Sequence, residues 1–227
     1  LAPEGYTLDI TKGGVVIKGG SEQGVFYGLQ SLRQVVFHSK GGKKVKVECM
    51  KVEDKPHFAY RGGMLDVCRH IFSVDEVKKY IDILAMHKMN RFHWHLTEDQ
   101  GWRIEIKKYP NLVKIGSRRK ETIMGHNRHS KVYDGTPHGG YYTQNEIKDI
   151  VKYAAERYIE VIPEIDMPGH MVAALASYPE LGCRDEKFEV RTRWGISKDV
   201  LCIGKESTFD FIEGVLSEVV ELFPDRK

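Results

Sequence analysis

Residues 58–99 read FAYRGGMLDVCRHIFSVDEVKKYIDILAMHKMNRFHWHLTED. Two short apolar runs, 58–65 and 90–96, flank a segment of helical period. Val77, Ile81 and Leu84 fall on one face of that segment. Ser73-Val74-Asp75-Glu76 stands just before it as a capping box, in which the serine hydroxyl and the glutamate carboxylate satisfy each other's backbone amides. The helix is expected to run to about Met89. Strand, helix, strand is the parallel βαβ pattern, and it sets the fold class as α/β.

Toward the C-terminus the pattern repeats. Thr143-Gln144-Asn145-Glu146 is a second capping box, opening a helix whose apolar stripe is Ile147, Val151, Ala154 and Tyr158. Residues 159–165 read as a third strand and 171–178 as a short helix. Residues 207–222 read as a further helix with Phe211, Val215, Leu216 and Val219 on one face. Between the second strand and the second capping box lies a long, basic, glycine-containing stretch, 107–140, with little periodicity. Loops of that length inside a compact domain are usually functional. A closed eight-stranded barrel needs ~250 residues, more than residues 58–227 supply. The expected architecture is therefore the N-terminal part of a (β/α)8 TIM barrel, an open half barrel cut from a larger enzyme, with a fourth strand due after Pro224.

Toward the N-terminus, residues 6–10 and 15–18 alternate in part around Lys12-Gly13-Gly14, a hairpin signal. Residues 24–37 carry Val25, Leu29, Leu32 and Val36 at helical spacing. Gly41-Gly42 would end that helix. Residues 44–50 then read as a strand with Val45 and Val47 inward, and 53–57, with Pro56, as a linker. The chain is thus expected to divide into 1–52, the remnant of a small α/β domain, and 57–227, the first βα units of a barrel.

Composition narrows the function. Apolar residues make up 41% and charged residues 30%, which argues against disorder. Lys+Arg of 35 against Asp+Glu of 32 leaves a net charge of +3, too weak and too evenly spread for a nucleic-acid partner. No stretch approaches the ~18 apolar residues of a membrane span. No basic-then-apolar leader opens the chain, and a trimmed protein would have lost one. None of Cys49, Cys68, Cys183 and Cys202 forms a C-x-x-C pair, so a cysteine-based zinc site is not expected. Cys183 and Cys202 bracket a polar segment that a disulfide would close, and the sequence leaves bonded and free states open.

Chemistry in an α/β barrel sits where strands run out into the following loops. All three strands end in polar clusters: Asp66 with Arg69-His70, then His93-Trp94-His95-Leu96-Thr97-Glu98-Asp99, then Glu164-Ile165-Asp166-Met167-Pro168-Gly169-His170. Arg69 offers a rigid fork of donors for vicinal hydroxyls or a carboxylate, or else a surface ion pair. His93 and His95 share one face of a strand. They are either metal ligands or, the favoured reading, hydrogen-bonded interior residues. A metal site would want further histidines and an acid, and only His170 offers itself. Of Glu98 and Asp99, alternation lets only one face the site. Pro168-Gly169 turns the chain to present His170, which would hold or tune a carboxylate, or serve structurally. Trp94, Trp102, Tyr141 and Tyr142 would floor a sugar site or, more often, fill the core.

The motifs Phe58-Ala-Tyr-Arg-Gly-Gly-Met-Leu-Asp-Val-Cys-Arg69-His70, Phe92-His-Trp-His-Leu-Thr-Glu98-Asp99-Gln-Gly-Trp-Arg103 and Val161-Ile-Pro-Glu164-Ile-Asp166-Met-Pro-Gly-His170 resemble the β-N-acetylhexosaminidases of glycoside hydrolase family 20. Glu4-Gly5-Tyr6 and Gly24-Val-Phe-Tyr-Gly-Leu-Gln30 look like the small domain that precedes that family's barrel. The resemblance implies removal of terminal N-acetylglucosamine or N-acetylgalactosamine with retention, the substrate's own acetamido oxygen acting as nucleophile. It implies that Arg69 grips the 3- and 4-hydroxyls, and that Glu98 and His170 form a supporting relay beside the general acid. It implies no metal and no organic cofactor. Its partner is a glycan with a terminal N-acetylhexosamine, and its compartment is secreted or periplasmic. Glu98 departs from the aspartate of many members by one methylene.

The family's acid/base Asp-Glu, within His-x-Gly-Gly-Asp-Glu on the fourth strand, has no counterpart here. Neither Asp75-Glu76 nor Asp185-Glu186 follows such a stretch. The pair is expected beyond Lys227, leaving this chain alone with negligible hydrolysis. Two rivals stand beside this reading: a metal-dependent hydrolase using His93, His95 and His170, and a sugar-binding module that has lost catalysis. Open barrel edges are expected to promote self-association.

Overall fold

A computed structural model describes residues 1–38 and 45–224. Strand β1 (Tyr6–Thr11) and β2 (Gly14–Gly19) form an antiparallel hairpin with Thr11 opposite Gly14. Helix α1 (Glu22–His38) follows, and β3 (Met50–Asp54) returns on the other side of β1, giving the order β2-β1-β3. Tyr6, Leu8, Ile10 and Tyr27 are the buried centre of this unit.

Two sequence expectations fail here for physical reasons. The Val25–Leu29–Val36 side of α1 is not its buried side: Val25 and Leu29 are 36% and 48% exposed. The helix instead lies close on the sheet through Gly24 and Gly28, where an added Cβ would collide with the Gly5 carbonyl and with Ile17. That approach turns Tyr27 and Gln30 inward. The third strand also starts later than expected. It pairs with β1 only from Ile10↔Met50 to Tyr6↔Asp54, so residues 45–49 carry no regular structure and the strand runs into the expected linker. Val45 is exposed while Val47 packs on the cluster. Gly41-Gly42 and Lys44 lie outside the described residues.

The second unit is built on a parallel sheet. Strand β4 (Gly62–Asp66) is followed by α2 (Val74–Met86) and β5 (Arg91–His95). The short hairpin β6 (Thr97–Glu98) and β7 (Gly101–Trp102) comes next, then α3 (Asn111–Lys114). Within the long aperiodic stretch, β8 (Arg118–Arg119) pairs with β9 (His138–Gly139). Helix α4 (Gln144–Ala155), β10 (Glu160–Glu164), α5 (Val172–Ser177) and α6 (Glu206–Leu222) complete the chain. The sheet order is β10-β5-β4, all parallel, with Met64, His93 and Ile162 in register.

Both expected capping boxes form, at Ser73/Glu76 and Thr143/Glu146. Each leaves its helix entering just after a strand end. Phe92 and Trp94 of β5 are fully buried with Ile81, Ile147 and Ile150 of α2 and α4. Arg91, His93 and His95 therefore project from the opposite face of the sheet. On α4, Ile150 rather than Val151 holds the fully buried position, and Tyr158 lies past the helix with φ 57°. On α6, Leu216 is 40% exposed, because the helix seats through Phe211, Gly214, Val215 and Val219.

The two units are tied by ion pairs. Arg61 meets Glu4 at 2.9 Å and Lys88 meets Asp54 at 3.0 Å. All four cysteines are free thiols, and Cys183 and Cys202 each follow directly on a residue of the Gly182↔Leu201 bridge, which brings the two together. No helix among the described residues is long and apolar enough to cross a membrane.

Candidate active site

The parallel register brings the three strand ends to one level: Asp66 lies opposite His95, and His95 opposite Glu164. Asp66 is where the β4 ladder gives out. Its carboxylate accepts the amides of Cys68 (2.9 Å) and Arg69 (3.1 Å) and folds the chain back, then takes Arg69 Nη1 at 2.8 Å. Arg69 reaches across with Nη2 to lie 2.8 Å from Glu98 Oε2. Glu98 is 2% exposed, and its Oε1 lies 2.5 Å from His170 Nδ1. One carboxylate thus joins Arg69 to His170 across three strand ends.

His95 stands behind Glu98. Its Nε2 is 3.3 Å from Glu98 Oε2 and its Nδ1 2.7 Å from Glu164 Oε2. His93 Nε2 meets the same Glu164 oxygen at 2.6 Å. Burial lowers the proton affinity of His95, but the carboxylates of Glu98 and Glu164 more than reverse that. Burial would likewise raise Glu98. His95, the Asp99 amide, Arg69 and His170 together hold it below its ordinary value. Asp66 is held low in the same way, burial being outweighed by Arg69 and the two amides. Asp166, whose amide donates to Thr97 Oγ1 at 2.9 Å, is raised by burial and keeps its proton to higher pH than an ordinary aspartate.

Asp99 departs from the alternation argument. Strand β6 stops at Glu98, so Asp99 sits in the turn and also reaches His170, at 3.7 Å. It is fully buried, accepts the Val172 amide at the start of α5 (3.1 Å), and takes Arg191 Nη1 at 3.1 Å. Burial raises its proton affinity, and nearby Glu98 adds to that. His170 itself has φ 57°. That left-handed backbone costs a non-glycine residue about 1 kcal/mol, and it aims the imidazole back at the carboxylates of Glu98 and Asp99.

Three groups of side chains offer three ligand atoms within reach of one another: Asp66/Cys68/His95, His95/Glu98/Asp166 and Glu98/Asp99/His170. Arg69 already faces the carboxylates of Asp66 and Glu98. None of the groups joins His93 to His95 or to His170, the set a histidine-based metal hydrolase would use. Trp94, Trp102 and Tyr142 are buried in the core, and the Tyr142 hydroxyl donates to the Phe72 carbonyl. Only Tyr141 of the candidate stacking residues is exposed, at 38%.

Sequence reasoning brought Arg69, Glu98 and His170 forward, and the structure brings those three side chains together. That reasoning let only one of Glu98 and Asp99 face the site, and it did not bring forward Arg191, nor Glu164 as the anchor of both histidines. Arg191 has no local signal, because it bonds Asp99 from 92 residues away.

Residues 58–227 match the glycosyl hydrolase family 20 catalytic domain and residues 1–55 match domain 2 of the same family. A β-hexosaminidase of Porphyromonas gingivalis is 52% identical over 99% of this chain, which covers 28% of that protein. A β-hexosaminidase of Akkermansia muciniphila is 40% identical over 99% of the chain and 44% of its own length. Among solved structures, Streptomyces plicatus N-acetyl-β-hexosaminidase in complex with Thio-NAglucal superposes with a TM-score of 0.85. It is 43% identical, with 99% of this chain and 44% of that one covered. The chain thus spans less than half the length of these relatives. Fold and matches together define the class, an α/β-barrel domain of the glycosyl hydrolase kind. More narrowly, the chain belongs to glycosyl hydrolase family 20, and it carries the N-terminal part of that family's barrel behind a piece of its preceding domain.

Proposed function

We propose that the gene product containing these residues is an exo-acting β-N-acetylhexosaminidase. It removes terminal β-linked N-acetylglucosamine or N-acetylgalactosamine by retaining, substrate-assisted hydrolysis. The observation that carries this reading is the buried Glu98 carboxylate held between Arg69 and His170 at the mouth of the sheet. A relative solved with the product N-acetylglucosamine, at 43% identity over 98% of this chain, supports the substrate class.

In this reading Arg69 keeps N–H groups to spare. Nη1 and Nη2 each commit one contact to a carboxylate, and the side chain is 38% exposed. The remaining donors form a planar fork suited to two adjacent sugar hydroxyls. Glu98 fixes that fork and holds His170. The substrate's acetamido oxygen attacks the anomeric carbon, the glycosidic bond breaks as the leaving oxygen takes a proton, and water then opens the cyclic intermediate. Neither Asp-Glu pair of residues 1–227 is placed at the site to give that proton. Of the two Asp-Glu pairs in the chain, Glu76 is spent on the α2 capping box, and Asp185-Glu186 lies in an exposed loop where Glu186 pairs with Arg184.

The test is hydrolysis of a chromogenic N-acetylglucosaminide by the gene product, with the first-formed anomer read by NMR. Release of the β-anomer and a large loss of kcat/KM in Arg69→Ala, mainly through KM, are expected. Release of the α-anomer, or an unchanged kcat/KM in the variant, overturns the proposal. The substrate class supports an extracellular or periplasmic location, to be checked by cell fractionation. Among the described residues, the edge strands β4 and β10 each have a single sheet neighbour, β5. Residues 1–227 expressed alone should therefore self-associate, and a stable monomer in sedimentation would refute that.

A further inference from the structure

Arg69 sits on a segment that has left the sheet. The β4 ladder ends with the Val67 amide on the His95 carbonyl, at 3.3 Å. A loop beyond a strand end has no neighbouring strand to satisfy its backbone, and buried backbone polar groups are nearly always paired. Here side chains take the neighbour's place. Arg103 donates to the carbonyls of Val67 (3.0 Å) and Cys68 (2.7 Å). Arg119 Nη2 donates to the carbonyl of Arg69 at 2.8 Å. The Ile71 amide donates to His138 Nε2 at 3.1 Å.

Arg119 and His138 are themselves cross-strand partners in the β8–β9 pair. Two side chains at one rung therefore offer a donor and an acceptor to backbone groups on either side of His70, much as an adjoining strand would. Arg119 is fixed in turn by Thr122 Oγ1 (2.9 Å), the Gln100 carbonyl (3.2 Å) and the face of Trp194 (5.6 Å to the ring centroid). His138 can accept only while that nitrogen is unprotonated. Burial and the charges of Arg119 and Arg103 push it down to about 4, so it is neutral at neutral pH.

We infer that Arg119 and His138 are positioning residues: the β8–β9 hairpin sets the place of Arg69, and with it the affinity of the site for the sugar hydroxyls. The kinetic consequence rests on the hydrolase reading above, while the structural one does not. A group that grips the sugar in ground and transition states alike changes KM more than kcat when it is misplaced.

The test compares His138→Ala with His138→Gln, whose amide oxygen restores an acceptor, in the complete gene product. Hydrogen exchange at the Ile71 amide should quicken by about tenfold in the alanine variant, the loss of one net hydrogen bond, and return toward wild type in the glutamine variant. KM for the chromogenic N-acetylglucosaminide should rise by about tenfold in the first and recover in the second, with kcat little changed. Ile71 exchange identical in wild type and His138→Ala overturns the inference, as does an unchanged KM in an active enzyme. A wild-type protein that hydrolyses no hexosaminide instead sinks the function reading, and the exchange measurement still decides this one. Should His138→Ala fail to fold, Arg119→Lys serves: it keeps the charge, loses the fork, and must raise KM.

Discussion

Arg103→Leu is the sharpest stability test that the structure offers. Arg103 is fully buried and, among the described residues, faces no carboxylate within ion-pair distance. Its guanidinium donates to four main-chain carbonyls: Val67 (3.0 Å), Cys68 (2.7 Å), Ser117 (2.6 Å) and Gly140 (2.9 Å). Leucine removes every one of those donors. The Ser117 carbonyl keeps a partner, since the Gly140 amide also donates to it at 3.2 Å, which leaves three carbonyls orphaned. At about 1–3 kcal/mol for each unsatisfied buried group, the loss is roughly 3–9 kcal/mol. Against it stands relief from burying a charge, itself several kcal/mol, and burial does lower the proton affinity of this group. The net expectation is a destabilisation of about 3 kcal/mol. For a chain of this size that is a fall in Tm of roughly 6–12 °C. Thermal unfolding followed by tryptophan fluorescence reads it directly, because Trp94 and Trp102 lie in the same buried cluster. Arg103→Lys should fall between the two, its compact ammonium being unable to span carbonyls on both sides. A Tm for Arg103→Leu within 2 °C (about 1 kcal/mol) of wild type would show that these carbonyls find water or other donors, and the clamp argument would fail.

Glu98→Gln leaves Arg69 and His170 without the charge that both face, and kcat/KM on a chromogenic hexosaminide should fall by about a hundredfold or more; wild-type kinetics would remove Glu98 from the site. Stability should decline as pH falls through 6.5 toward about 4, because His138 is held neutral by burial and by Arg119, Arg103 and His70, against the opposing charge of Asp134. The unfolded chain binds that proton first, so the contribution is present above 6.5 and gone below about 4. Taken whole the shift is worth about 3 kcal/mol, and solvent screening of a half-buried ring leaves roughly half. His138→Gln should flatten that part of a Tm-versus-pH curve, and an unchanged slope would refute the assignment. At lower pH, protonation of Glu98 and Asp66, both held below their ordinary values, should add a second loss that His138→Gln leaves in place. Cys183 and Cys202, free and each one residue past the Gly182↔Leu201 bridge, should close to a disulfide under glutathione disulfide, with loss of two hydrogens by mass and a gain of about 3 kcal/mol; two alkylatable thiols after that treatment would count against it.

What could be read from the chain and what could not divide along a physical line. Both capping boxes, the three parallel strands and the convergence of Arg69, Glu98 and His170 rest on local spacing or on strand ends falling at one level, and spacing is visible in a sequence. The failures came where packing chose between faces that periodicity leaves equal. On α1, glycines rather than valines met the sheet, and on α6 the helix seated through Gly214 rather than Leu216. Alternation put Glu98 and Asp99 on opposite sides, yet the strand ended between them. Residues 107–140 read as long, basic, glycine-containing and irregular, of a length that is usually functional, but with no role for any residue, and their contribution is the least local of all. Arg119 bonds a carbonyl 50 residues away, and His138 accepts from an amide 67 residues away. Such bonds go to main chain, which every residue type possesses, so no pairing of side-chain types announces them. That absence of signal follows from the task itself. On the proposed reading, an arginine that grips a sugar at a barrel mouth must sit beyond the last rung of its strand, where the ladder no longer specifies backbone position. Whatever replaces the ladder has to bond peptide groups rather than side chains. A donor fork and a neutral imidazole at one rung of a distant hairpin meet that requirement with two residues, and the irregular loop is the length of chain needed to bring them there.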